Sequence, residues 1–154
     1  MTDIDKDTTA ILAVHDAWFK SNVGLVVEDM LPHFPQGESN YLQFNLNGFT
    51  YNGVADKAKL WRNLAELGVN ITRLTDAEPP QVHVYGDVAW LTTEAVAELV
   101  MPTSSGTLES SGEMRIRETE VYRRDDGAGN ARWTIWHMHV SEAAASGGLK
   151  YGNE

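Results

Sequence analysis

The chain has 154 residues and a formal charge of −10, from 12 Lys and Arg against 22 Asp and Glu. So acidic a chain is a poor match for nucleic acid or an anionic membrane, because phosphates favour clustered basic side chains. It contains no cysteine, which excludes disulfides, thiol nucleophiles and thiolate metal sites. Its hydrophobic content of 42% is typical of one globular domain with a packed core.

The sequence shows no pattern typical of a signal peptide, a membrane span or a basic binding surface. The opening stretch MTDIDKDTTA is acidic and polar, unlike a signal peptide, and no apolar run approaches the ~20 residues of a membrane span. A cytoplasmic protein is therefore expected. The clustered arginines alternate with glutamates, which predicts a charge-paired strand; these residues are Arg115, Arg117, Arg123 and Arg124 with Glu113, Glu118 and Glu120.

The first elements in the chain are predicted to be helical. Apolar residues at spacings of three, four and seven favour a helix over about 3–22, and His15 lies on its apolar stripe. A shorter helical segment is expected over 25–31, where Pro32 ends it.

A hairpin and another helix follow. Asn47-Gly48 is a strong two-residue hairpin signal between a strand over 39–45 and one over 49–51. The pattern over 54–67 is again helical, with Gly68 as its C-cap.

The second half of the chain, from Glu78 onward, is predicted to be β. Strands are expected over 81–85, 88–101, 112–124 and 132–141, joined by Gly-rich turns. Helices first and long antiparallel strands later predict an α+β domain, with the helices on one face of a strongly curved sheet. Such an arrangement leaves a conical cavity between the layers, which is a natural small-molecule site. One domain is expected over 1–141 and a loose tail over 142–154.

The last strand, RWTIWHMHVS over 132–141, carries two histidines two residues apart. In a regular strand, alternate residues share a face. His137 and His139 are therefore expected on the face of Trp133 and Ile135. Both faces are apolar, and a shift of one residue in register would exchange them.

Three stretches carry a resemblance to a known family: FTYNGVADKAKLW (49–61), VHVYGDVAWLTTE (82–94) and ETEVYRRDDGAGNARWTIWHMHVS (118–141). They resemble the nuclear transport factor two-like superfamily, in its SnoaL-like and ketosteroid-isomerase-like branch. The last stretch is also similar to the association domain of calmodulin-dependent kinases. The resemblance implies a cone-shaped fold with helices on the concave face of the sheet, an internal pocket, and a homodimer packed through the outer sheet face.

The best-known chemistry of that superfamily does not carry over residue by residue. Ketosteroid isomerases use a Tyr on the first helix and two pocket Asp residues, whereas this chain has His15 on that helix. Its long strands offer Glu94, Glu98 and Glu113 but no Asp within their runs. The Asp-Arg-Asp relay of limonene-epoxide-hydrolase-like enzymes has no counterpart on these strands.

The candidate site combines imidazoles, a phenol and aromatic walls. Imidazole titrates near neutrality and suits general acid/base catalysis without a cofactor, and a buried Tyr can donate to a developing enolate. The predicted catalytic residues are His139, His15, His137 and Tyr41. The predicted substrate-binding residues are Arg117, as a partner for a substrate carboxylate, and Trp18, Phe19, Trp61 and Trp90.

Several alternatives compete with this site. Each His also suits a purely structural role, and Arg117 suits an ion pair with a strand glutamate. A zinc site of His137, His139 and His15, completed by His83 or Glu94, is a weaker hypothesis. For the whole protein, an isomerase, cyclase or dehydratase acting on a hydrophobic polyketide, steroid or phenolic substrate competes with a non-catalytic dimeric binding or assembly domain.

Overall fold

The computed structural model describes residues 2–37 and 39–144. The helices are α1 (Asp3–Asn22), α2 (Val27–Met30), which continues into a 3-10 turn (Leu31–His33), and α3 (Val54–Glu66). The strands are β1 (Leu42–Phe44), β2 (Thr50–Asn52), β3 (Asn70–Asp76), β4 (Gln81–Tyr85), β5 (Val88–Pro102), β6 (Leu108–Ser110), β7 (Met114–Arg124) and β8 (Trp133–Glu142).

Helix α1 begins at a capping box and buries one stripe of side chains. Thr2 accepts from the backbone N–H of Asp5, and the Asp5 carboxylate accepts from the backbone N–H of Thr2, which satisfies two otherwise unpaired donors. The buried stripe is Ile11, His15, Trp18, Phe19 and Asn22. The predicted helix over 3–22 is confirmed, with His15 on its buried face.

The strands form one curled sheet in the order β2-β1-β8-β7-β5-β3, and β4 and β6 also pair with β5. Among the described residues the pairs are antiparallel except β1 with β8, which is parallel. The helices cover the concave face, so the predicted α+β class and cone-shaped sheet are confirmed. No helix in the described part of the chain is long and apolar enough to cross a membrane.

Strand β3 was not among the predicted elements, since the β region was expected to begin at Glu78. The half-buried residues Ile71 and Leu74 are three apart, and the register with β5 shifts between Ile71 and Arg73. A bulge of this kind breaks the period of two by which strands are recognised. The missed strand matters because it ends in Asp76.

A second bulge decides which face of β8 looks inward. Tyr122 pairs with Ile135 but Val121 pairs with His137, so Trp136 is an extra residue in β8. Ile135 and Met138 are consequently buried, whereas His139 is exposed. The expectation that His137 and His139 share a face with Ile135 is wrong, because the extra residue reverses the alternation.

Strand β7 separates its charges between two faces. Glu118 and Glu120 are buried on the inner face, and Arg117 is exposed. The predicted charge-paired strand is therefore confirmed in part, since some of its arginines form ion pairs, but with carboxylates outside the strand. Arg115 instead contacts Glu94 of β5 at 3.1 Å. The predicted loose tail falls largely outside the described residues, which end at 144, and β8 itself continues to Glu142.

Candidate functional site

A cavity of about 150 Å³ lies between the helices and the concave face of the sheet. Its polar lining comes from Asn22 of α1, Gln43 of β1, Asn45, Lys57 of α3 and Glu118 of β7. The rest of the lining is apolar and consists of Trp18, Leu25, Leu46, Leu60, Trp61, Leu64, Ile71, Leu74, Ala97, Leu99, Ile116, Met138 and Val140. A mostly apolar cavity with a few convergent polar groups is typical of a small-molecule site.

Glu118 is the carboxyl group of this cavity. Its side chain is 4% exposed, and the indole Nε1 of Trp18 donates to its Oε1 at 3.3 Å. Burial, and then the negative charge of the neighbouring Glu120, raise the pKa of Glu118 well above its usual range. The protonated acid is therefore favoured, and this form can donate a hydrogen bond or a proton.

Lys57 is the amine of the same cavity and is 3% exposed. Its Nζ donates to Asn45 Oδ1 at 2.6 Å and lies 4.9 Å from the ring centroid of Tyr51 and 5.3 Å from that of Trp61. Burial lowers the pKa of Lys57 to about 7, against the opposing charge of Glu118. Both the ammonium and the free amine are thus populated near neutral pH.

Alternate residues at and beside β1 form a polar ladder on the inner face of the sheet. The Tyr41 hydroxyl donates to Gln43 Oε1 at 2.6 Å, and Gln43 Nε2 donates to Asn45 Oδ1 at 2.9 Å. Burial, and then the charges of Glu118 and Glu120, raise the pKa of Tyr41 well above 10, so its hydroxyl remains a donor. The ladder orients the two amides that line the cavity.

His15 belongs to a separate buried network beside the cavity. Its Nδ1 donates to Glu120 at 3.0 Å and its Nε2 donates to Asp76 at 3.2 Å. Thr93 donates to Asp76 at 2.6 Å, and the Tyr122 hydroxyl donates to Glu120. Burial lowers the pKa of His15, but the hydrogen bond and charge of Glu120 and the charge of Asp76 outweigh it, so the pKa is raised.

This raised pKa favours an imidazolium that donates from both ring nitrogens. The His15 network ties α1 to β3 and β7. His15 therefore holds carboxylates in place and is not itself part of the cavity wall.

The structure separates the predicted catalytic residues. Tyr41 and His15 are buried beside the cavity, whereas His137 and His139 lie on the outer sheet face, each 5.4 Å from the ring of Phe44. His137 Nδ1 also lies 2.8 Å from the Leu42 carbonyl oxygen, an acceptor for its N–H. The predicted convergence of His15, His137 and His139 in one pocket is wrong, because the β8 bulge turns the pair outward.

The predicted substrate-binding residues also lie partly at the cavity and partly on the outer sheet face. Trp18 and Trp61 line the cavity, and Phe19 is buried with its ring 4.1 Å from that of His15. Trp90 is 39% exposed on the outer face. Arg117 is also exposed there and donates to Ser141 at 3.3 Å. A role for Trp90 or Arg117 inside the pocket is therefore wrong.

The zinc alternative fails for the same geometric reason, because its histidines lie on opposite sides of the sheet. In the part of the chain that the structure describes, no three His, Asp or Glu side chains are grouped to hold a metal ion.

Sequence reasoning missed the two central ionisable residues, although signals for both were present. Glu118 and Glu120 alternate with the buried Ile116 and Tyr122, which is unusual on an apolar strand face. Lys57 lies one turn before Trp61 and therefore on the buried stripe of α3. Buried carboxylates and amines are rare unless they are paired or used.

The comparisons with known proteins agree with this fold. The SnoaL-like domain family matches residues 47–146, and no curated protein matches the chain. A candidate dehydratase of the NTF2-like family from Streptomyces avermitilis is similar at 16% identity and TM-score 0.69, covering 92% of this chain and 99% of that one.

Two further solved structures are similar. A ketosteroid isomerase-like protein from Erwinia carotovora atroseptica is 11% identical, with TM-score 0.67 and coverage of 89% and 96% of the two chains. The association domain of C. elegans CaMKII is 16% identical, with TM-score 0.59 and the same coverage. At these identities the structures show the fold alone. The family match spans more than half of the chain, and this chain belongs to the SnoaL-like domain family.

Proposed function

We propose that this chain binds a small oxygenated molecule in its cavity and catalyses proton transfer on it as an isomerase or dehydratase, without a cofactor. One observation carries the proposal: Glu118 and Lys57 share one small cavity. Burial raises the pKa of the acid and lowers that of the amine. A buried acid that favours its protonated form, beside an amine that is partly free near neutral pH, is suited to general acid/base catalysis.

The two groups divide the chemistry between them. The free amine of Lys57 removes a proton from the carbon next to a substrate carbonyl. The protonated Glu118 donates to the carbonyl oxygen as the enolate forms. Return of the proton to another carbon gives isomerisation, and loss of a β-hydroxyl group gives dehydration. Gln43 and Asn45 supply amides that orient the substrate.

The size of the cavity favours a small substrate. Its volume of about 150 Å³ is below the ~300–1,000 Å³ of sites that hold drug-sized ligands. Among the expected substrate classes, a single-ring phenolic or short-chain ketone fits better than a steroid or a multi-ring polyketide. The family match and the neighbours named as a dehydratase and as isomerase-like support the same reaction types.

The proposal is tested by hydrogen exchange into single-ring ketones. Cyclohexanone and 3-cyclohexenone are incubated with the protein in D₂O, and loss of the α-proton signals is followed by NMR. We expect exchange above the buffer rate, reduced about 100-fold by Glu118→Gln and by Lys57→Met. Glu94→Gln and Lys59→Met are matched controls, because both residues are exposed. Exchange at the buffer rate, or exchange that both cavity variants retain, would contradict the proposal.

A second candidate function is a dimeric binding or assembly domain. It is favoured by aromatic side chains on the outer sheet face, with Tyr85 66%, Phe44 41% and Trp90 39% exposed. The similarity to an association domain supports it as well. We propose a homodimer through this outer face in either case. Ketone binding in the cavity without exchange would favour the non-catalytic function.

A further inference from the structure

We propose that Lys57 is a covalent carbonyl-binding site, whose amine condenses with a small aldehyde or ketone to give a protonated imine. This proposal rests on the proposed function in one respect, namely that the cavity admits a carbonyl compound. It adds a substrate class and a covalent step that general acid/base catalysis does not require.

The surroundings of Lys57 leave its amine available for this reaction. Its hydrogen-bond acceptor is a neutral amide oxygen, Asn45 Oδ1 at 2.6 Å. Among the residues that the structure describes, no carboxylate oxygen lies within 4.0 Å of Lys57 Nζ, whereas the exposed Lys20 contacts Asp16 at 2.6 Å. A desolvated amine without an ion-pair partner is the form of lysine that acts as a nucleophile.

Glu118 lines the same cavity and supplies the acid that condensation needs. The Nζ lone pair attacks the carbonyl carbon, the C=O π electrons move to oxygen, and a proton passes from nitrogen to that oxygen. The carbinolamine hydroxyl then takes the Glu118 proton and leaves as water while the nitrogen lone pair forms the C=N bond. Amine, carbonyl and one proton thus become an iminium ion and water, with no change in oxidation state.

The cavity also stabilises the product of that step. The iminium ion would be paired with the Glu118 carboxylate that the reaction leaves behind. The rings of Tyr51 and Trp61, at 4.9 and 5.3 Å from Nζ, provide cation–π contacts. The apolar lining limits access of water, which slows hydrolysis of the imine. An iminium ion also acidifies the adjacent C–H bond, and the base for that proton would then be the Glu118 carboxylate, because Lys57 is no longer a free amine.

Reductive trapping tests the proposal directly. The full chain is incubated at about pH 7 with benzaldehyde and sodium cyanoborohydride, which reduces imines faster than aldehydes. Benzylated residues are then located by peptide mass spectrometry. An ordinary lysine holds only about one amine in a thousand as free base at this pH. We therefore expect Lys57 to be modified at least about tenfold faster than Lys59, its exposed neighbour on the same helix.

Three variants test the result further. Lys57→Met should abolish the fast benzylation of the protein, whereas Lys59→Met should leave it intact. Asn45→Asp places a carboxylate beside the amine, favours the ammonium form and should slow trapping by about tenfold. The proposal is overturned if benzyl groups accumulate on the exposed lysines and Lys57 reacts no faster. That comparison is made within the wild-type chain, so it holds even if a variant fails to fold.

The two experiments together distinguish failure of covalent binding from failure of the proposed function. Ketone exchange that depends on Lys57 and Glu118, without a trapped adduct, overturns covalent binding and leaves proton-transfer catalysis standing. A fast adduct at Lys57 without ketone exchange supports the covalent site and overturns the catalytic proposal.

Discussion

Glu118 and Lys57 are ionisable side chains buried in one cavity, and their burial costs the fold free energy. Residues of this kind persist where they perform a task, because a neutral side chain of the same size would fit the site at lower cost. His15 shows the contrasting case, since both of its ring nitrogens lie against carboxylates. Removing one partner from such a buried group is strongly destabilising, which is the behaviour expected of a structural residue.

Glu118→Gln should therefore stabilise the protein while it reduces ketone exchange. The folded-state pKa of Glu118 is raised by burial and by Glu120. Its contribution to stability is present below the unfolded value near 4.3 and is lost as pH rises toward the folded value. Urea unfolding should show the variant gaining on the wild type as pH rises from about 4 to 8, by about 1 kcal/mol or more. A variant that loses stability across this range would indicate a structural role.

Among the elements, β8 shows how one residue redirects a site. Because Trp136 is an extra residue, the inward-facing side chains of β8 have odd numbers before it and even numbers after it. Ile135 and Met138 are therefore buried, and His139 is exposed. Its indole donates to the Asp125 carbonyl at 3.0 Å, and Arg123 lies 4.2 Å above its ring. These contacts hold the bulge on the outer side of the sheet.

The outward position of His139 makes a clear prediction. His139→Gln should leave ketone exchange and reductive trapping at Lys57 within about twofold of the wild type, because the imidazole lies outside the cavity. The same assays on Glu118→Gln provide the comparison. A loss of exchange in His139→Gln comparable to that in Glu118→Gln would show that the imidazole acts on the substrate after all.

At the scale of the whole molecule, the outer sheet face carries a continuous row of paired residues, one from each of five neighbouring strands. The paired residues are Leu42, His137, Val121, Trp90 and His83. The ring of Trp90 stacks with two other rings on this face, since its centroid lies 5.1 Å from that of His83 and 5.2 Å from that of Tyr85. Exposed aromatic side chains gathered on one sheet face, as Trp90 and Tyr85 are here, are typical of an interface.

Trp90→Lys should weaken a homodimer formed through this face, because it replaces an exposed aromatic side chain of the row with a charge. Sedimentation velocity should show the wild type as a dimer and the variant shifted toward monomer, with dissociation at least about tenfold more favourable. Leu67→Lys, at a residue 67% exposed at the end of α3, should leave the dimer unchanged. A monomeric wild type, or equal effects of the two variants, would rule out this interface.

Much of the fold could be predicted from the sequence, but less of the site could be. The helix over 3–22 and the hairpin around Asn47-Gly48 follow from local patterns, and the structure confirms both. The turn is longer than the two residues predicted, because Asn45 faces Phe49 across the hairpin. Strand β3 could not be recognised, because its bulge removes the alternation. Trp18 and Trp61 were predicted in the pocket wall, whereas Lys57 and Glu118 were missed although each lies on a buried face.

The sequence by itself determined the α+β class and the order of most elements, because these depend on periodicity and turn residues close together in the chain. Three stretches of it also carried the resemblance to the SnoaL-like family. Only the tertiary structure decided which ionisable groups meet. Lys57 and Glu118 come from a helix and a strand far apart in sequence, and the face that His139 occupies depends on one bulge in the pairing of β7 with β8. Both depend on long-range pairing and on the parity of strand register, which local patterns do not encode.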